Sequence, residues 1–191
     1  IDEDWFVTIH VCIEKAASEA IKACQRISKC NRDTDESLIQ ELLKTISVSM
    51  SSVNDVFKRM PERCDPYVYY HRVRPFIFGS KDNPDLKDGL IYEDEYNNKP
   101  QFFRGETGAQ SSIMPTLDGA MGIQHSEDSL RHYLNEMREY MPLEHRNFIE
   151  EIEAESIVKE LIGGSTIRGT GGTPFMKYLK KHRDETEQQK H

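Results

Sequence analysis

Tyr67-Val68-Tyr69-Tyr70-His71-Arg72-Val73-Arg74-Pro75-Phe76-Ile77-Phe78 is the stretch on which the fold class turns. Its β-branched and aromatic content leans toward a strand. Pro75 sits badly in a central strand, because it brings no N–H to the ladder, and it would kink a helix. The remaining long segments with a clear apolar period are helical. A strand at 67–78 would therefore make the chain mixed, and a helix there would make it mainly α.

Upstream, apolar residues recur at helical spacing from Trp5 to Cys30: Phe6, Ile9, Ile13, Ala16, Ala17, Ala20, Cys24 and Ile27. That pattern predicts a helix with one face in the core. Asp33 followed by Glu36 has the form of a capping box. Leu38, Leu42, Ile46, Val53, Phe57 and Met60 then mark a second long helix that Pro61 ends. Asp65-Pro66 reads as an N-cap followed by proline at the first helical position.

Downstream, residues 79–112 read as a long connection punctuated by Gly79, Asn83-Pro84, Asp88-Gly89, Asn97-Asn98 and Gly105. A connection of that length in a compact domain is usually functional or disordered. A short helix is expected over Pro115 to Gly122, and an amphipathic one from Ser126 to Met141 with Glu127 and Asp128 in its first turn. Another is expected from Leu143 to Ile162, broken near Ala154. Thr173-Pro174 would cap a last helix through Arg183. No internal repeat is visible.

The chain has 191 residues, 37% hydrophobic and 30% charged, which suits one globular domain. Its formal net charge of -8 argues against nucleic acid as the main partner. No apolar run approaches the roughly 18 residues of a membrane helix. Ile1 opens an acidic stretch where a signal peptide would be basic and then apolar. A cytoplasmic protein without a membrane partner is expected, and the missing initiator Met suggests a fragment or trimmed chain. The cysteines (Cys12, Cys24, Cys30 and Cys64) match no zinc or redox spacing and read as reduced thiols.

Motifs of chemistry are sparse. The glycine-rich run 163–173 lacks the Lys-Ser/Thr ending and preceding strand of a phosphate loop, so a flexible connection is its local reading. His10 shares a helical stripe with Phe6 and Glu14, a pattern more often structural than catalytic. The other histidines (His71, His125, His132, His145, His182 and His191) show no metal-ligand spacing. Arg72 and Arg74 flank an aromatic cluster. Arginine beside such rings can clamp a carboxylate while the rings cover an apolar body, and it can equally belong to an ordinary surface.

Longer strings are more specific. Tyr70-His71-Arg72-Val73-Arg74-Pro75-Phe76 leads through Gly79, Asn83-Pro84 and Asp88-Gly89-Leu90-Ile91-Tyr92-Glu93. Phe103-Arg104-Gly105-Glu106-Thr107-Gly108-Ala109-Gln110-Ser111-Ser112 follows, then Arg138-Glu139-Tyr140-Met141-Pro142-Leu143-Glu144-His145-Arg146-Asn147-Phe148, then Gly169-Thr170-Gly171-Gly172-Thr173-Pro174-Phe175-Met176. Together, and in this order over nearly the whole chain, they closely resemble the large helical haem domain of the indoleamine 2,3-dioxygenases. The resemblance implies a mainly α fold, a single but incomplete domain over residues 1–191, and a helical 69–78, against the local lean to a strand. It implies a dioxygenase that uses haem b and O2. Its substrate would be L-tryptophan or a related indoleamine, whose indole ring it opens to N-formylkynurenine in tryptophan breakdown. The cofactor carries the hard chemistry and the protein orients the substrate.

Position by position, Phe6, Tyr69 and Tyr70 resemble the aromatics that pack on the indole, and Arg74 the arginine that pairs with the substrate carboxylate. His10 takes the distal position, where some members carry Ser and microbial-type members carry His; in its neutral form it would accept the indole N–H. Gly105, Glu106, Thr107 and Gly108 resemble the loop over the haem, where small residues permit close backbone approach. Gly169 to Thr173 resemble a closing loop, with Thr170 reaching the amino-acid end of the substrate.

One departure bears on competence. In the family a helical stretch carrying the proximal histidine separates the helix near Ile162 from the Gly-Thr-Gly-Gly-Thr loop. Here Glu160-Leu161-Ile162 runs almost directly into it. An internal deletion near 162–169 is expected, with no histidine left in register as iron ligand, and the family's small N-terminal domain is expected to be missing too. Without an axial ligand a haem loses its anchor and its main electronic lever. The competing reading is a truncated, non-catalytic member without haem that acts as a binding or scaffold protein.

Overall fold

The computed structural model describes residues 1–31, 34–125 and 127–156, and the backbone of 168–169. The chain is mainly helical, as the resemblance implied. It divides into two compact units, one of Ile1–Thr8 with Met60–Gly108 and one of Ile9–Arg59 with Ala109–His191.

The second unit is built from helices. α1 (Asp2–Ser28) enters it after its first turns, and α2 (Glu36–Phe57) follows. α5 (Ile113–Met121), α6 (Ser129–Arg138) and α7 (Leu143–Ala154) complete it. Its core gathers Ala17, Ala20, Cys24 and Ile27 from α1 with Leu42, Ile46 and Val53 from α2, Leu117 and Ala120 from α5, and Ile152 from α7. Each large aliphatic side chain so buried contributes about 1.5–3 kcal/mol. Ser49 of α2 ties the two long helices together. Its Oγ donates to the carbonyl of Ala16 at 2.6 Å and lies 3.3 Å from the N–H of Ala20.

Helix ends follow the expected chemistry with shifted boundaries. Asp128 is the N-cap of α6 rather than a first-turn residue, and its Oδ1 accepts from the N–H of Arg131 at 2.9 Å. α7 ends at Ala154, where a break was expected. The cap position of α2 falls to Asp35, and Asp33 of the expected capping box lies outside the described residues. So do the expected extension of α7 to Ile162 and the last helix from Thr173 to Arg183.

In the first unit the strand lean at 67–78 is overturned. The segment runs as α3 (Pro66–Val68), a π turn (Tyr69–Val73) and α4 (Arg74–Ile77). Two local features defeat the β-propensity. Asp65 caps the start, its Oδ1 accepting from the N–H of Val68 at 2.9 Å. Pro75 is absorbed by the π turn, in which the N–H of Arg74 reaches back five residues to the carbonyl of Tyr69. Proline has no N–H with which to continue a four-residue register, so a wider register just before it is the economical solution.

The long connection holds two isolated antiparallel bridges, Gly79 with Arg104 and Leu90 with Gln101. Ser80 is its buried pin: its Oγ donates to the carbonyl of Gln101 at 3.0 Å and accepts from the N–H of Phe103 at 3.0 Å. No helix among the described residues is long and apolar enough to cross a membrane.

Candidate functional site

The π turn decides what the first unit presents. Five residues along an α-helix rotate by about 140° beyond a full turn, so such residues face different directions. The five-residue hydrogen bond from Arg74 to Tyr69 brings that pair much closer to one side. Tyr69 stacks on Phe6, ring centroids 4.5 Å apart and planes at 28°. Two of the sequence-predicted aromatics therefore meet although 62 positions of chain lie between them. Asp2 helps fix the approach, its Oδ1 accepting from the N–H of Asp65 at 2.8 Å.

Tyr70 does not join this stack. It is exposed and meets His71 edge to face, centroids 5.0 Å apart. Arg74 is half-buried, with its guanidinium carbon 5.7 Å from the centroid of Phe78. Among the described residues it faces no carboxylate. Two other half-buried arginines do pair, Arg104 with Asp82 at 2.8 Å and Arg138 with Glu153. A cation held on an aromatic face with no counter-charge among the described residues suits an anionic group from outside.

The loop residues Gly105, Glu106, Thr107 and Gly108 lie in the same unit, with Glu106 and Gly108 exposed. Gly105 does permit close approach, but its own chain occupies the space. A Cβ there would stand 1.7 Å from the carbonyl oxygen of Ile77. His10 belongs to the second unit, and Thr170 lies outside the described residues.

Several described histidines are engaged elsewhere. His125 Nε2 lies 2.8 Å from Asp118 Oδ2, and His145 Nδ1 lies 3.2 Å from Ser112 Oγ. His71 packs between Tyr67, at 4.4 Å, and Tyr70. Burial pushes the Asp118 carboxyl above its ordinary range, against the pull of His125, Arg131 and Arg138. No group of three or more His, Cys, Asp or Glu among the described residues could hold a metal ion. A groove of about 300 Å³ lined by residues of α6 and α7 contains none of the predicted site residues. Sequence reasoning did not find the Asp118–His125 pair or the pinning role of Ser80. Both depend on turns, at Gly122 and Gly79, that leave no motif.

Comparison with known proteins gives a consistent family. The family model described as indoleamine 2,3-dioxygenase matches residues 1–167. Indoleamine 2,3-dioxygenase 1 of Rattus norvegicus is 38% identical over 159 residues, 82% of this chain and 39% of that protein. A 6-hydroxytryptophan 2,3-dioxygenase of Fusarium equiseti is 31% identical over 166 residues, 86% of this chain and 40% of that protein. An indoleamine 2,3-dioxygenase of Aspergillus candidus is 30% identical over 235 aligned residues, 96% of this chain and 58% of that protein. The chain thus spans about two fifths of the length of the first two of these relatives.

Proposed function

The chain belongs to the indoleamine 2,3-dioxygenase family, and on that premise we propose that it serves the family's reaction, the O2-dependent opening of the indole ring of tryptophan or a related indoleamine. Its own part in that reaction is to hold the indole amino acid. The observation that carries this reading is Arg74, half-buried on Phe78 and without a carboxylate partner among the described residues. It is tied through the π turn to Tyr69, which stacks on Phe6. A planar guanidinium offers a carboxylate two parallel N–H donors, and the neighbouring rings offer an apolar surface to an indole. For His10, in the second unit, the role suggested by the resemblance is acceptor for the indole N–H. Thr170 is assigned the amino-acid end.

Three of the five described histidines, the residue type that would ligate the iron of the family's cofactor, haem b, are engaged by neighbouring side chains. His125 and His145 are occupied by Asp118 and Ser112, His71 is packed between tyrosines, and the Gly105 approach is filled by the backbone of Ile77. We infer that the segment bearing the iron ligand is what the chain lacks near 162–169. Two facts support that reading. The family-model match stops at residue 167. The alignment with the Aspergillus candidus relative runs over 235 positions, more than the 191 residues of this chain, so that relative carries residues between the matched parts.

The test is calorimetry of the chain with L-tryptophan, beside a haemin titration followed in the Soret region. Saturable tryptophan binding that Arg74→Ala abolishes supports the substrate role. Equal heats with and without Arg74, or none at all, overturn it. A saturable one-to-one haem spectrum with histidine ligation would overturn the deletion reading. Weak, unsaturable haem uptake supports it.

A further inference from the structure

Asp118 lies in the last turn of α5 and grips the chain on the far side of the reversal that follows. Its backbone carbonyl accepts from the N–H of Ile123 at 2.9 Å, and its Oδ2 lies 2.8 Å from Nε2 of His125. Between these two bonds the chain turns at Gly122, which caps α5 in the left-handed conformation, φ 64°. One residue therefore fixes both the start of the turn and the side chain three positions beyond it.

The segment held in this way, Gln124–His125, pairs in parallel with Arg168–Gly169, Gln124 opposite Arg168 and His125 opposite Gly169. Parallel pairing is the weaker kind of ladder, and two residues of it do not sustain themselves. Its stability has to come from what anchors one side. That anchor is α5, which is itself locked to the end of α7. Gly119 packs so closely on Glu153 that a Cβ would meet Glu153 Cγ at 2.8 Å. Ser156 donates to the carbonyl of Ala120 at 3.0 Å. The titratable and charged groups facing Asp118 are His125 beyond the turn and Arg131 and Arg138 of α6, the latter already gripped by Glu153 of α7. Asp118 is largely withdrawn from water, so its contact with His125 is screened little.

We propose that Asp118 is a positioning residue: through His125 it sets the short strand on which Arg168–Gly169 rests, and this coupling is independent of the proposed function.

Amide hydrogen exchange of the 191-residue chain, free of any ligand, tests the coupling apart from that reading. Asp118→Leu removes the acceptor, and Asp118→Asn keeps an oxygen that can accept from His125. The leucine variant is expected to speed exchange at His125 and Gly169 by about tenfold or more, the scale of a hydrogen bond to a charged group. Amides within α5 should keep their protection, and the asparagine variant should restore most of the lost protection at Gly169. Unchanged exchange at Gly169 in the leucine variant would overturn the proposal. So would loosening spread evenly along α5, or an asparagine variant no better than leucine. Should Asp118→Leu not fold, His125→Leu removes the same bond from the other side and carries the same expectations.

Discussion

Gly105 donates its backbone N–H to the carbonyl of Phe78 at 2.9 Å, across a gap that leaves no room for a side chain. A Cβ on Gly105 would fall 1.7 Å from the carbonyl oxygen of Ile77 and 2.5 Å from the carbonyl carbon of Phe78. The neighbouring Gly79 is as constrained, with φ of 87° and the nitrogen of Gly105 2.3 Å from where its Cβ would stand. The obstacles are backbone, so no rotamer change relieves them. Gly105→Ala is expected to cost about 3 kcal/mol, the upper part of the range for overpacking. Urea unfolding followed by tyrosine fluorescence measures it. A loss below about 0.5 kcal/mol, the level of an ordinary surface change, would contradict the packing described.

The same loop turns the chain back beside α4, where Arg74 sits on Phe78. If Arg74 takes a carboxylate and the Phe6–Tyr69 stack takes an indole, the two halves of the ligand can be separated by mutation. Arg74→Lys keeps the charge and loses the planar fork. It is expected to weaken tryptophan binding by about tenfold and to leave the binding of indole itself unchanged. Phe6→Ala is expected to weaken both ligands. Titration calorimetry with tryptophan and with indole reads the split. Equal effects of Arg74→Lys on the two ligands would refute the assignment of Arg74 to the carboxylate.

What was legible in the sequence follows from which forces are local. The period of Ile9, Ala20, Cys24 and Ile27 marked the buried face of α1, because burial repeats with the helix. Asp65-Pro66 marked a helix start, because capping acts within three residues. The segment 67–78 misled a local reading, since Val and Tyr content reports fit to a pleated surface and contains nothing about a π turn that accommodates Pro75. Of the candidate site, Phe6, Tyr69 and Arg74 came from resemblance to a family. The Phe6–Tyr69 contact joins the two separate chain segments of the first unit and has no local signature. The Asp118–His125 pair was invisible for the same reason, as six residues, a left-handed glycine among them, intervene.

Ser49 offers a test of how α1 and α2 are joined. Its hydroxyl donates to the carbonyl of Ala16 at 2.6 Å inside the core. Ser49→Ala removes the donor but leaves the carbonyl with its helical partner, so the loss is that of one hydrogen bond, about 1 kcal/mol. Ser49→Val should cost more, since it adds bulk against the backbone of Ala16 and Ala20, which the Ser49 hydroxyl contacts. Thermal unfolding of the two variants orders them. A valine variant as stable as the parent would mean that the hydroxyl sits at a looser contact than the distances state.

Cys24 gives the chain a pH dependence of its own. It is buried in the core, and burial pushes its thiol from the ordinary 9.0 up to about 12. The protonated thiol is therefore favoured by folding. Its stabilising contribution is complete below pH 9 and is lost as pH rises from there to about 12. Between pH 9 and about 10.5 the unfolded chain ionises this group while the folded chain does not, which costs about 2 kcal/mol at about 1.4 kcal/mol per unit. Other groups titrate in the same window, so the comparison is with Cys24→Ala. That variant starts less stable because it leaves a small cavity, yet its stability should fall less steeply from pH 8 to 10.5. The parallel chemical measurement is thiol labelling at pH 8, where Cys12, partly exposed, should react in the folded chain and Cys24 only on unfolding. Parallel slopes for the two proteins, or rapid labelling of Cys24 in the folded chain, would show that water reaches this thiol and that the α1–α2 contact opens readily.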